Sequence, residues 1–440
     1  MKTTKLKLSA DFDRELFWHK GDSVRYLVAR LTAENSGKKS QSKRPPVNIA
    51  LVIDVSGSMT GEPLAAAKAA VLGLAGRLNK DDRLSVVSFA SDVQVHFDGV
   101  AVTPTTLKKV EREVAKLHTR GSTFLSGGWF EGAALAAKAA RGDSRLTPRV
   151  IVLSDGHANE GIIDPVGLSR EAEELLQDGV TTSTLGIGDG YDEAVMRGIA
   201  ENGGGRLHDA ELTAEISSVL LGELDDIFNT VVEQATFELH SPADVRVEGV
   251  GLRTEQSAER LTTVMLGPLQ GGISRNVVFK VVCPKADPDT VLRFELSASG
   301  KLSSDGSKIE SNRVDAQLTS AKGKVLQKQL RKGDLAELVA QTWSSHVIAT
   351  AAALNRDGAP RQAARFVRDE LRFFKKYVVG LSNGISLVRQ LETLANHAAK
   401  RLSSRMTKEL VLASSIQLEE RRDHRGFEKA HWSVRMARGD

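Results

Sequence analysis

The sequence predicts an α/β domain inserted in an antiparallel β-sandwich, with a helical region after the sandwich. Over residues 47–229, nearly continuous apolar strands alternate with helical stretches, which favours a largely parallel sheet with helices on both faces. Over residues 230–326, apolar residues recur at every second position, as in half-buried antiparallel strands. From residue 327 to about residue 421 the pattern is helical.

The first 46 residues contain one clear strand pattern, at 24–31, followed by a polar stretch at 34–46 that is typical of an exposed linker. This strand has no evident neighbour in its own segment. We therefore expect it to join the sandwich formed by residues 230–326. The α/β domain then becomes an insertion between strands of one β domain.

In the α/β domain, the segments 47–53 and 149–154 are almost entirely apolar and predict strands buried on both faces of a sheet. Helical stretches such as 63–79 and 125–141 separate the strands. In open sheets of this kind, binding sites form outside the carboxyl ends of the strands. Polar residues that directly follow these two strands are therefore the first candidates for function.

Turns rich in Gly, Pro and Ser separate the short alternating strands of the predicted sandwich. In the helical region, Gly and Pro at 357–360 and a second break at 380–384 predict three helices, and residues 426–440 are expected to be loosely ordered. The predicted division is 1–46 for the N-terminal strand or strands, 47–229 for the α/β domain, 230–326 for the sandwich and 327–440 for the helical region.

Three loops of the α/β domain carry oxygen-bearing side chains. Asp54, Ser56 and Ser58 follow the first buried strand within five residues, and Gly57 allows a tight turn there. Thr123 precedes a helical stretch, and Asp155 follows the strand 149–154. Ligand sets made only of oxygen suit a hard divalent cation such as Mg²⁺.

These residues resemble the metal-ion-dependent adhesion site of the von Willebrand factor type A (VWA) family, whose pattern is Asp-x-Ser-x-Ser, a distant Thr and a distant Asp. Residues 186–189 and 203–206 also look like the last strand and final turn of bacterial and inter-alpha-trypsin-inhibitor-type members. The resemblance covers about 47–229 and implies a Rossmann-like fold. It also implies that Ser56, Ser58 and Thr123 contact the metal, while Asp54 and Asp155 often act through water.

The resemblance implies Mg²⁺ as the cofactor, with Ca²⁺ or Mn²⁺ as alternatives. Neutral hydroxyl ligands leave most of the charge of a cation unneutralised and one coordination position open. An Asp or Glu of a protein partner would fill that position, so the expected function is an interaction module or adaptor. Bacterial relatives often work beside ATPases of the AAA+ class, which implies a partner in a multi-protein regulatory system.

Other interpretations of the same residues stay open. Ser and Asp after a strand often serve only as turn formers and helix caps, and a site of this kind can fold without holding metal. In a haloacid-dehalogenase-type phosphatase, Asp54 would be a nucleophile, but that family requires a second acid where this chain has Ser56. The sequence contains no Gly-x-Ser-x-Gly, P-loop or His-Glu-x-x-His motif, so we predict that the chain is not an enzyme.

A second candidate contact surface is basic. Arg361, Arg365, Arg368 and Arg372 recur at helical spacing and predict one positively charged helix face. The stripe suits an acidic partner surface or RNA, and the alternative is an ordinary solvated face. The net charge of +4 and the absence of an aromatic stacking motif argue against nucleic acid.

The composition indicates the cellular compartment in which the protein is expected. The single cysteine, Cys283, excludes an intramolecular disulfide and a zinc site built from cysteines, which fits a reducing compartment. Charged residues interrupt the first 20 residues, so we expect no signal peptide. No uncharged apolar run reaches the length of a membrane span. We therefore predict a cytoplasmic protein that does not contact a membrane.

Overall fold

The computed structural model describes residues 4–35, 44–141, 143, 145–252, 255–418 and 432–438. The chain begins with three strands, β1 (Thr4–Phe12), β2 (Leu16–Trp18) and β3 (Ser23–Asn35). The predicted strand lies within β3. The expectation that it has no neighbour in its own segment was wrong, because β1 pairs with it antiparallel. The sequence signal for β1 was the alternation of buried Leu6 and Leu8 with exposed Lys5 and Lys7. Residues 36–43 of the predicted linker lie outside the described residues.

The α/β domain follows. Its strands are β4 (Asn48–Asp54), β5 (Arg83–Phe89), β6 (Val93–Ala101), β7 (Pro148–Ser154), β8 (Thr181–Ile187) and β9 (Gly204–Ala210). Its helices are α1 (Glu62–Ala75), α2 (Pro104–Lys116), α3 (Leu125–Arg141), α4 (Pro165–Gln177), α5 (Glu193–Asn202) and α6 (Ile216–Asn229).

The strands of this domain form one sheet in the order β6-β5-β4-β7-β8-β9. All pairs are parallel except β5 with β6, which places an antiparallel strand at one edge. Every residue of β4 is buried, because side chains from its two faces enter two different cores. α3, α4 and α5 cover one face, and α1, α2 and α6 cover the other. The carboxyl ends of β4 and β7 therefore lie side by side.

α3 packs so closely on this sheet that one of its glycines has no room for a side chain. A Cβ at Gly132 would lie 2.4 Å from Cγ2 of Val52 in the central strand β4. Alanine would gain about 1 kcal/mol in helix propensity, but overpacking costs about 1–3 kcal/mol. Because the crowded neighbour is a methyl group of a buried strand, we expect Gly132→Ala to destabilise the chain in urea denaturation.

Gly73 in α1 is the matched control, since a Cβ there would meet nothing within 4 Å. We expect Gly73→Ala to stabilise the chain by up to about 1 kcal/mol. Changes of the same sign in the two variants would contradict the assignment of tight packing to α3.

The remaining strands build the sandwich. They are β10 (Thr230–His240), β11 (Arg246–Gly249), β12 (Glu255–Ala258), β13 (Leu261–Gln270), β14 (Ser274–Cys283), β15 (Val291–Leu302), β16 (Lys308–Glu310) and β17 (Val314–Ala321). One sheet has the order β1-β3-β14-β11, and the other has the order β12-β13-β10-β15-β17-β2, with β16 paired to β15.

The pairing of β3 with β14 confirms the predicted insertion. The two strands run antiparallel from the pair Ser23–Cys283 to the pair Thr32–Ser274, although the whole α/β domain lies between them in the chain. The sandwich is not wholly antiparallel, because β2 pairs with β17 in parallel. The predicted fold class is thus confirmed, while the exact domain boundaries stay a prediction.

The helical region contains α7 (Gly323–Leu326), α8 (Gly333–Arg356), α9 (Pro360–Tyr377), α10 (Gly384–His397), α11 (Ser404–Leu418) and α12 (Trp432–Arg438). The two predicted breaks coincide with the ends of α8 and α9. The prediction of three helices was wrong, because the chain breaks again between α10 and α11. The amide group of Asn355 stabilises that break by donating to the carbonyls of Ala398 and Lys400 at 2.9 and 2.8 Å.

The predicted loose C-terminus requires a correction. Residues 426–431, 439 and 440 lie outside the described residues. Residues 432–438 form α12, and Trp432 and Met436 of this helix are buried in the same core as the other helices. Apolar contacts therefore order this part of the terminus. None of the helices in the described part of the chain combines the length and apolar character that a membrane span requires.

Candidate metal centre

The first turn of the candidate site follows β4. Asp54 is the last residue of that strand and is fully buried. Its Oδ1 accepts a hydrogen bond of 2.8 Å from the backbone N–H of Ser56, which folds the chain back over the strand end. The hydroxyl oxygens of Ser56 and Ser58 lie 3.1 Å apart. The turn therefore gathers one carboxylate and two hydroxyls on one side.

The loop after β7 approaches the same point. The Ser58 hydroxyl donates to Oδ1 of Asp155 at 2.7 Å, and the Ser154 hydroxyl donates to Oδ2 of Asp54 at 2.5 Å. Each of the two acids is thus linked to the other strand end by a hydroxyl group. The parallel pairing of β4 with β7 makes these links possible.

Thr123 comes from the third loop, which precedes α3. Its backbone N–H donates to the side-chain oxygen of Asn159 at 2.7 Å, and the Asn159 N–H donates back to its carbonyl at 3.1 Å. These two bonds fix the loop of Thr123 against the loop that follows β7. The residue itself is 4% exposed, so little of its surface meets bulk water.

Gly156 reveals where the three loops converge. A Cβ built at this glycine would lie 3.3 Å from the Ser58 hydroxyl, 3.6 Å from the Thr123 hydroxyl and 4.0 Å from Oδ2 of Asp54. Because glycine has no side chain, this space is left to the oxygens around it. The structure thus brings together all five residues predicted from the sequence, which are Asp54, Ser56, Ser58, Thr123 and Asp155.

The spacing of these oxygens fits a small divalent cation. Octahedral Mg²⁺ binds oxygen at 2.0–2.1 Å, which puts neighbouring ligands about 3 Å apart. The separations of 3.1 Å between the two serine hydroxyls and 2.7 Å between Ser58 and Asp155 are in this range. Among the described residues, no cluster of three or more His, Cys, Asp or Glu side chains is suited to a metal, and the other side-chain oxygens at this site are hydroxyls.

The electrostatics of the site favour a cation. Burial raises the pKa of Asp54, and the charge of Asp155 raises it further, while hydrogen bonds from Ser154 and Ser56 partly offset the shift. Burial also raises the pKa of Asp155, against a lowering by the Ser58 hydrogen bond. The two carboxylates are therefore costly to keep ionised without a positive charge between them.

Sequence reasoning missed two residues of this site. Ser154 bonds Asp54, and Asn159 holds Thr123. The position of Ser154 directly before Asp155 was an available signal. Asn159 carried none, because a single Asn in a loop is usually a turn former.

The four predicted arginines are not part of this site. Arg361, Arg365, Arg368 and Arg372 lie on the exposed face of α9 in the helical region. Arg365 lies 3.7 Å from Asp369, and Arg368 donates to the carbonyl of Ala395 at 3.3 Å. We call these four residues the α9 basic face. None of their described contacts involves the oxygens of the candidate metal centre.

A family model described as von Willebrand factor type A domain matches residues 48–220, which span the sheet and all three loops of the candidate site. The chain therefore contains a VWA domain. Proteins of this family generally mediate protein–protein interactions. The resemblance of residues 47–229 to a VWA domain is thus confirmed, while the metal site stays a prediction.

Curated relatives match less than half of the chain. The chain is 32% identical over 174 residues to an uncharacterized protein of Synechocystis sp., covering 39% of this chain and 40% of the relative. It is 26% identical over 197 residues to the inter-alpha-trypsin inhibitor heavy chain H3 of Mus musculus, covering 44% of this chain and 22% of the relative. The matched segment thus spans less than half of the length of each relative.

Two solved structures share the fold beyond the VWA domain. A von Willebrand factor type A protein from Catenulispora acidiphila superposes with a TM-score of 0.69 at 16% identity, covering 94% of this chain and 97% of that chain. The ArnB paralog VWA2 from Sulfolobus acidocaldarius gives a TM-score of 0.60 at 15% identity, covering 93% and 98%. Because nearly the whole chain is covered, the arrangement of sheets and helices is common to all three proteins.

Proposed function

We propose that the chain is an interaction module in which Mg²⁺ at the candidate metal centre binds a carboxylate of a protein partner. The observation that carries this proposal is the convergence of Asp54, Ser58 and Thr123 around Gly156. Ca²⁺ and Mn²⁺ suit the same oxygen donors and are the alternatives to Mg²⁺.

The charge of the site supports recognition of an acid. A bound cation would supply a positive charge and a coordination position for an incoming carboxylate. Ser56, Ser58 and Thr123 contribute no negative charge, and Asp54 and Asp155 each accept a hydrogen bond from a serine hydroxyl. Ser58 is exposed and Asp155 is half-buried, so a partner can approach from the solvent side.

Capture of partners by the tagged full-length chain tests the proposal. We expect proteins that bind in Mg²⁺ to be released by EDTA and to be lost with the double variant Asp54→Ala/Thr123→Ala. The matched control is Asp98→Ala/Thr105→Ala, at two exposed positions of β6 and α2. Circular dichroism checks that both variants stay folded. Partners that persist in EDTA and with the first double variant would contradict the proposal.

We infer a binding role and not a catalytic one. Ser56 occupies the position at which a haloacid-dehalogenase-type phosphatase needs its second acid. Hydrolysis of a phosphate ester by the purified chain in Mg²⁺, lost on Asp54→Asn, would contradict this inference.

We also propose that the α9 basic face contacts an acidic surface of the partner. Its four arginines are exposed, and Phe373 beside them is 59% exposed, so charge and apolar area are available together. Capture should weaken at high salt and with Arg365→Glu/Arg372→Glu, but not with Lys400→Glu/Arg401→Glu at exposed positions elsewhere in the helical region. Equal loss in both variants, or binding of RNA alone, would contradict it.

The resemblance and the single cysteine support two further parts of the proposal. The partner would belong to a multi-protein regulatory system, with an AAA+ ATPase as one candidate component. The location would be the cytoplasm, which fractionation of the native cells tests directly.

A further inference from the structure

A short loop lies between the candidate metal centre and the helical region. It joins β8 to α5 and comprises residues 188–192, which we call the 188–192 loop. A Cβ at Gly190 would lie 2.7 Å from the backbone carbonyl oxygen of Asp155. The backbone of the loop therefore rests directly on the backbone of Asp155, whose side chain binds Ser58.

Helix α11 holds this loop from the other side. The ammonium group of Lys408 donates to the carbonyl of Asp189 at 2.6 Å and lies 3.9 Å from the centre of the Tyr191 ring. Lys408 is only 3% exposed. A buried ammonium needs such partners, because an unpaired buried charge is costly. If the loop moved away from α11, Lys408 would lose both of these contacts.

Tyr191 fixes the position of the loop within the VWA domain. Its hydroxyl donates to Oδ1 of Asp209 at 2.8 Å, and its ring occupies the space above Gly186, where a Cβ would lie 2.4 Å from a ring carbon. The loop is therefore clamped between the end of β9, the end of β8 and α11. A displacement of α11 would be transmitted to Asp155 through a tightly packed backbone.

We propose that Lys408 is a positioning residue for the metal centre and that α11, through the 188–192 loop, holds Asp155 in the geometry that Mg²⁺ requires. This inference rests on the proposed function. Mg²⁺ demands near-ideal octahedral geometry, so a small shift of Asp155 weakens its binding. Coupling between two sites is reciprocal, so metal binding also stiffens the 188–192 loop and α11.

Calorimetric titration of the full chain with Mn²⁺ tests whether Lys408 and the 188–192 loop support metal binding. We expect Lys408→Met to weaken metal binding by about tenfold, the effect of losing an outer support of a metal site. Gly190→Ala should weaken it at least as much, because the new methyl group meets the Asp155 carbonyl. Lys400→Met, an exposed lysine of the same region, should bind as the wild type does.

Hydrogen exchange of the wild type tests whether metal binding stiffens the 188–192 loop and α11, without any change of sequence. Mn²⁺ should slow exchange in the 188–192 loop and in α11, and this protection should vanish in Asp54→Asn. A folded Lys408→Met with wild-type affinity, or protection limited to residues 54–58 and 155–159, overturns the inference but leaves the proposed function intact. Absence of metal uptake by the wild type overturns both.

Discussion

Replacing Asp54 by asparagine is expected to weaken Mg²⁺ or Mn²⁺ binding by about 10- to 100-fold. The carboxylate is fully buried, and it accepts hydrogen bonds from Ser56 and Ser154 on its two oxygens. Asparagine keeps the size and one acceptor oxygen but loses the charge that attracts the cation. It also points an amide N–H₂ group, a donor, where an acceptor stood.

The same substitution should not reduce the stability of the metal-free chain. Burial raises the pKa of Asp54, which means that the folded metal-free protein disfavours the ionised carboxylate. A neutral side chain avoids that cost, so we expect a melting temperature equal to or above that of the wild type in EDTA. The variant thus separates loss of metal from loss of fold.

Calorimetry with Mn²⁺ and thermal melting in EDTA together check this expectation. Asp98→Asn is the matched control, because this exposed acid on β6 pairs only with Lys138 among its described ion pairs. If Asp54→Asn bound Mn²⁺ with wild-type affinity, the Asp54 carboxylate would not be part of the metal centre. A lower melting temperature in EDTA would contradict the electrostatic argument.

Replacing Arg405 by methionine is expected to destabilise the chain by about 3–5 kcal/mol, the usual cost of removing one partner of a buried ion pair. Arg405 joins α11 to the end of β9, where its guanidinium donates to Asp209 at 2.6 Å and to Glu409 at 3.4 Å. The side chains of Asp209 and Glu409 are 1% and 5% exposed. Methionine would leave the buried Asp209 without this ion pair, while Glu409 would keep Arg435, 3.6 Å away, as a partner.

Asp209→Asn in the Arg405→Met background should recover part of this loss. The asparagine oxygen can still accept a hydrogen bond from the Tyr191 hydroxyl, and the buried carboxylate charge that Arg405 balanced is gone. Urea denaturation of the single and double variants gives the coupling energy between positions 405 and 209. Arg401→Met, at an exposed position just before α11, should change stability by less than about 0.5 kcal/mol. A loss of similar size in Arg401→Met would contradict the role assigned to Arg405.

Local patterns predicted much of the fold. The run of apolar residues in β4 predicted a strand buried on both faces, and the alternation in β15 predicted a half-buried one. The pairing of β3 with the sandwich was predicted because a lone strand needs a partner. The candidate site was predicted residue by residue because its five side chains follow strand ends or precede a helix.

The parts that could not be predicted depend on distant contacts. The break before α11 is stabilised by Asn355 of α8, and its local signal is limited to Ser403, whose hydroxyl accepts the Met406 N–H at 3.1 Å and caps α11. Thr407, Lys408 and Glu409 are all buried although a run of polar residues normally predicts a solvated face. Lys408 donates to the carbonyl of Asp189, 219 residues earlier in the chain, and Glu409 pairs with Arg405 and Arg435. Only the folded structure therefore reveals why α11 buries these charges.

The insertion of the VWA domain between β3 and β10 has a consequence for biosynthesis. Thr32 of β3 pairs with Ser274 of β14, which lies 242 residues later in the chain. β3 can therefore pair with β14 only after those residues have left the ribosome. Pairings so distant along the chain form slowly, and domains usually fold as units during translation. We therefore expect the VWA domain to fold first on the nascent chain. The edge of β3 that pairs with β14 would stay unpaired until the C-terminal half has been synthesised.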